Sequence, residues 1–174
     1  DRSPDLKFLL SLGAVANANC TLMLYDRLAG VSGIALNATG SKTVNSGALT
    51  RDSGTAAANN EAWLEVTTAG TAAAPIVNLN QYTSSDGTTG LAGGSLALPS
   101  TTMNVDSMVQ LPLNASEQGV QSVQAGLNVA TAGTAIIANL LIIRPLARIP
   151  LLANVWNEVS FLDDVMGLPR VFDG

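Results

Sequence analysis

Apolar and polar residues alternate with a period of two in several short stretches of the chain. Cys20, Leu22 and Leu24 alternate with Thr21, Met23 and Tyr25. Val109, Leu111 and Leu113 alternate with Met108 and Gln110, and Val123, Ala125, Leu127 and Val129 with Gln124 and Asn128. Successive strand side chains point to opposite faces, so each pattern predicts a strand with one face on a core. Glu61 to Thr68 and Pro75 to Tyr82 predict two more, and a short strand is expected near Thr43 to Leu49. The run from Thr134 to Ile143 is apolar at both parities, which predicts a strand covered on both faces. The expected core is Cys20, Leu22, Leu24, Trp63, Val109, Leu111, Val123, Leu127, Ile137 and Leu141.

Punctuation supports the same reading. Glycines at 30, 33, 40, 47 and 54 make the stretch from Leu28 to Asn60 unfit for a long helix, since each interior glycine costs about 1 kcal/mol relative to alanine. Asp86-Gly87 is a strong turn signal. Seven or eight short strands without an intervening long amphipathic helix predict a mainly β fold, an antiparallel sandwich or barrel of jelly-roll type. The tail reads differently. Val155, Val159, Leu162 and Met166 recur at helical spacing, with Gly167 as a stop, so a short helix is expected within residues 154–166. The expected organisation is an arm at 1–13, a β-rich domain at 14–153, and a helix with an extended tail at 154–174.

The two ends carry more apolar residues than short arms can bury by themselves: Leu6, Phe8, Leu9 and Leu10 at one, Trp156, Phe161, Leu168, Val171 and Phe172 at the other. These are the expected contacts with a neighbouring subunit in a homo-oligomer, folding back on the same chain being the alternative.

Composition narrows the function. Charged residues are only 12% of the 174, so the surface is poorly solvated by charge and suited to being covered. The net charge is −5, and no Lys or Arg falls between Asp52 and Ile143, which argues against nucleic acid as a partner. Arg144, Arg148 and Arg170 are the one basic patch that folding could gather. No apolar run is long enough to span a membrane, and a secretory signal is not expected. Position 1 is Asp, which suggests processing, excision from a longer product, or numbering from a first ordered residue.

Candidate chemistry is sparse. The chain has no histidine, which removes the usual general base and metal ligand, and its single cysteine, Cys20, excludes an internal disulfide. On a strand with Leu22 and Leu24, Cys20 reads as an inert buried thiol. Glycoside hydrolysis needs two facing carboxylates; Asp163 and Asp164 are adjacent and would diverge on a helix, and Glu61 and Glu65 could share a strand face but are better explained by cross-strand salt contacts or solvation. Asp86 and Asp106 with nearby Asn oxygens are the only hint of calcium. No phosphate-loop lysine motif accompanies the glycines. Asn19, Asn37 and Asn114 begin glycosylation triplets, a pattern short enough to arise by chance. No cofactor and no catalytic residue is expected.

The stretches Leu22 to Leu28, Val44 to Arg51, Ala62 to Glu65, Tyr82-Thr83 with Asp86 to Gly90, Gly119 to Val123, and Leu141 to Leu146 resemble, in the same order, a family of tailed-bacteriophage virion proteins described as structural or head proteins. The likeness runs from about Cys20 to Phe172. It implies a capsid decoration or cement protein on the virion surface, with the major capsid protein as partner and a trimer as the expected oligomer. A head-completion or tail component is the alternative within that class. A ligand- or carbohydrate-binding β-sandwich is the alternative outside it.

Overall fold

The structure is a computed structural model, and it describes residues 7–8, 11–71, 73–99, 103–160 and 170–171. Its strands in chain order are β1 (Lys7–Phe8), β2 (Ser11–Ala14), β3 (Cys20–Ala35), β4 (Gly40–Lys42), β5 (Glu61–Thr68), β6 (Ile76–Leu79) and β7 (Tyr82–Ser84). They continue as β8 (Leu96–Ala97), β9 (Met108–Gln110), β10 (Val120–Val123), β11 (Leu127–Thr131), β12 (Ile137–Leu151), β13 (Asn157–Ser160) and β14 (Arg170–Val171). One short 3-10 turn, Gly54–Asn59, is the only helical element among the described residues.

The chain divides into two compact units, one of Asp1–Asp26 with Pro145–Gly174 and one of Arg27–Arg144. The division falls inside β3 and β12 rather than near residues 13 and 153.

The larger unit is an antiparallel β-sandwich. One four-stranded sheet has the order β3-β12-β5-β9, another β4-β11-β6-β8, and β7 pairs with β10. Ala62, Leu64 and Val66 of β5, with Ala138, Leu140 and Ile142 of β12, form one wall of a single core. Val77, Leu79, Leu127 and Val129 form the other. The walls exist because every second residue on these strands is apolar and the register aligns them, with Leu140 opposite Leu64 and Leu127 opposite Leu79.

Turn chemistry sets where strands break. The stretch from Ser122 to Val129 is two strands, because Gly126 takes φ +87 and a Cβ there would lie 1.7 Å from the Lys42 carbonyl oxygen. The expected Pro75 to Tyr82 strand likewise divides into β6 and β7. Thr43 to Leu49 is not a strand; Ser46 instead bonds Val123 in both directions, its N–H donating to the Val123 carbonyl and its Oγ accepting the Val123 N–H.

β12 meets the expectation for a strand covered on both faces: Leu140, Leu141, Ile142 and Ile143 are all buried. Leu111, Val123 and Leu127 are also core residues, and Val109 packs half-buried against them.

Five core expectations need correction. Trp63 is half-buried, since period two puts it on the face of Glu61 and Glu65 while Ala62, Leu64 and Val66 take the interior. Cys20 is exposed at the start of β3, and Leu22 and Leu24 are half-buried. Ile137 is half-buried at the register shift that opens β12.

The helix expected within 154–166 is not formed in its described part. Residues 157–160 are strand β13, paired with β2, and 161–166 lie outside the described residues.

Candidate association surface

β2 and β13 form a two-stranded antiparallel ribbon with Leu12 opposite Val159, Gly13 opposite Glu158 and Ala14 opposite Asn157. The turn that leads into β13 is held by asparagines. The Asn157 amide donates to the carbonyls of Leu152 (3.2 Å) and Val155 (2.7 Å), and its Oδ1 accepts the Leu152 N–H at 3.2 Å. Asn19 Oδ1 accepts the Ala153 N–H at 2.9 Å, and the Asn154 N–H, on a left-handed residue with φ 58, donates to the Ala16 carbonyl at 2.7 Å. These bonds satisfy the backbone and leave the intervening side chains outside.

Those side chains are apolar. Leu152 is 60% exposed, Val155 51%, Trp156 62%, and on the ribbon itself Val15 is 60% and Val159 38% exposed. Only one further large apolar residue among those described, Val105, is comparably exposed. Gly13 and Glu158 share one face of the ribbon, and Leu12 and Val159 the other. The Trp156 indole lies over Gly13 and donates its N–H to Glu158 at 3.3 Å.

In the same unit, Ile149 and Leu151 are the only large apolar side chains that are buried, among the described residues. β1 and β14 pair with each other, so segments from the two ends do fold back together. Of the expected interface residues, Trp156 is placed on the exposed turn. Phe8 and Val171 are described by backbone alone, in β1 and β14, and Leu6, Leu9, Leu10, Phe161, Leu168 and Phe172 lie outside the described residues. Val15 was not expected at this surface, and Leu152 and Val155, inside the terminal segment expected to make contact, were not singled out. Their signal was the spacing of Asn154 and Asn157 around Trp156, which marks a turn and was masked by the helical period of the valines.

The polar candidates of the larger unit are committed locally. Glu61 accepts the Trp63 indole N–H at 2.9 Å, and Glu65 accepts the Asn139 amide at 2.9 Å, while Asn139 Oδ1 receives the Gly33 N–H at 3.1 Å. Arg144 is ion-paired with Asp52, whose side chain is 10% exposed. Asn60, 1% exposed, donates to the carbonyls of Asp52 (2.9 Å) and Val120 (3.2 Å), fastening the 3-10 turn to β10.

Asp86 caps its own turn, accepting from Ser84 Oγ and from the Thr88 N–H at 2.8 Å. The Ser84 bond first, then that from Thr88, holds its carboxyl below the usual carboxylate range. Burial pushes the Tyr82 phenol up, against the opposing effect of the Asn114 N–H that its oxygen accepts at 2.9 Å, with a small further rise from Glu117. Among the described residues no three of His, Cys, Asp and Glu converge as a metal site would require, and no helix is long and apolar enough to cross a membrane.

No protein-family model, no curated protein and no solved structure matches this chain.

Proposed function

We propose that this chain is a non-enzymatic structural protein of a virion, a decoration or cement subunit that sits on the capsid surface and reinforces contacts of the major capsid protein. The observation that carries the reading is the set of exposed apolar side chains on the β2–β13 ribbon and its turn, held outward by an asparagine network. A surface so fixed has little conformational entropy left to lose when covered, which favours association. A chain with 12% charged residues adds few desolvation penalties at such a contact. The resemblance of six sequence stretches to phage head proteins supplies the partner, and the trimer expected of that class supplies the stoichiometry.

A carbohydrate-binding sandwich is less well supported. Trp63 donates its indole N–H within its own strand and Tyr82 is fully buried, which leaves Trp156 as the one ring more than half exposed among the described residues, a single ring rather than a platform. The test is co-sedimentation of the purified chain with empty capsids of the phage that encodes it. Saturable binding at a fixed ratio to the capsid protein is expected, and a chain that stays at the top of the gradient at every concentration overturns the proposal.

A further inference from the structure

We infer that the β2–β13 ribbon, with the turn at residues 152–156, is the seat of a second copy of this chain. The argument begins with area. Leaving out Val159, which lies on the opposite face of the ribbon, the exposed parts of Val15, Leu152, Val155 and Trp156 amount to on the order of 450 Å² of apolar surface. A standard interface takes about 800 Å² from each partner, a little over half of it apolar, so these four side chains come close to the apolar share of one half-interface.

The charge pattern selects the occupant. Across residues 11–16 and 152–160 the only ionisable side chain is Glu158, and its carboxylate accepts the Trp156 indole N–H. Two copies of this surface therefore meet with one potential like-charge contact, already hydrogen-bonded, and no other charge to desolvate. A partner that used charge for recognition would find only Glu158 to pair with on these segments. An apolar surface with so little charge can meet a copy of the same chain without a large like-charge penalty, whichever symmetry closes the oligomer.

Among the described residues β2 and β13 pair only with each other, and an identical strand can extend such a ribbon by main-chain hydrogen bonds while the alternate side chains pack. Two-stranded ribbons are marginal in water by themselves, and the unit that carries this one buries only Ile149 and Leu151 among its described large apolar side chains.

The inference deepens the decoration reading by assigning the surface to self-contact, and its test keeps the two apart. Sedimentation velocity of the full chain is run from about 1 to about 100 µM for the parent, Val15→Asp, Trp156→Ser and, as a control on the other unit, Val105→Asp. The parent and the control are expected to self-associate in this range, with both ribbon variants weakened about tenfold or more. Amide exchange at residues 11–15 and 155–159 of the parent is followed over the same range, which needs no variant to fold. Those amides are expected to slow as concentration rises.

A parent that stays monomeric throughout overturns the inference, as do ribbon variants that associate like the parent, or exchange at the ribbon that ignores concentration. A monomeric chain that still binds capsids overturns the self-contact alone. A chain that self-associates through the ribbon and leaves capsids bare overturns the decoration reading alone.

Discussion

The Trp156 indole lies so close over Gly13 that a Cβ at that glycine would come within 2.8 Å of its Cζ2. The glycine is therefore the floor on which the most exposed aromatic of the ribbon rests. Gly13→Val should lift the indole and loosen its bond to Glu158 while leaving the sandwich intact. In a Trp63→Phe background, the fluorescence of Trp156 reports the change: a shift in emission is expected together with weaker self-association. Unchanged emission and unchanged association would show that the glycine does not position the ring.

Leu64 and Trp63 are neighbours in β5 with opposite fates, the leucine fully buried and the indole half-exposed. Leu64→Ala should destabilise the sandwich by about 2–5 kcal/mol, through lost transfer energy and the cavity left behind. Trp63→Ala should cost about 1–2 kcal/mol, because much of its ring is already in water. Urea melts of the two variants decide the order, and a larger loss for Trp63→Ala would mean that the register given for β5 is wrong.

Glycines with positive φ separate strain from collision. At Gly126 an added methyl meets the Lys42 carbonyl, whereas at Gly87, with φ +91, nothing lies within 4 Å. Gly87→Ala should cost about 1 kcal/mol from backbone strain alone, and Gly126→Ala about 2 kcal/mol or more, since β4 must also move. Equal denaturation midpoints for the two would contradict the close approach of β4 to the β10–β11 bend.

Much of the sandwich was legible in the sequence because a half-buried strand writes its face in alternate residues. Leu111, Val123 and Leu127 fell inside as their parity required, and the doubly apolar run around Leu141 became a strand covered on both sides. Parity gives faces but not which face is interior, and there residue size misled. Trp63 outweighed the smaller Ala62 and Val66, yet Ala62, Leu64 and Val66, opposite Ile142, Leu140 and Ala138, together fill the core. The association surface was half legible. Trp156 stood out as an apolar residue in a terminal segment, but spacing alone favoured a helix there, and only the bonds of Asn154 and Asn157 convert it to a turn and strand. Cys20 looked buried because its neighbours alternate, although it stands at the very start of β3, where the alternation gives no cover.

Stability should depend on pH at both extremes for separate reasons. The folded-state pKa of Asp86 lies below its ordinary value of about 3.9, so its contribution is complete above that value and is lost as the pH falls through the lower, folded one. Asp86→Ala should therefore be less stable than the parent at neutral pH, and the two should converge in strong acid. The Tyr82 phenol is raised above its ordinary value of about 10, so its contribution is complete below that value and is lost as the pH rises through the folded one. Tyr82→Phe, which also leaves the Asn114 N–H without its acceptor, should cost about 1 kcal/mol at neutral pH and then escape the alkaline loss. Thermal melts across the pH range that kept a constant gap between parent and variants would contradict both assignments.

The central claim, that this chain is a shell-bound structural subunit, is tested most directly by a reconstruction from electron micrographs of empty capsids saturated with the purified protein. The account predicts added density at symmetry-related positions on the outer capsid surface, with the β-sandwich fitting that density at a fixed stoichiometry to the capsid protein. Capsids indistinguishable from those without the protein, at concentrations where the chain remains folded and in excess, would contradict it.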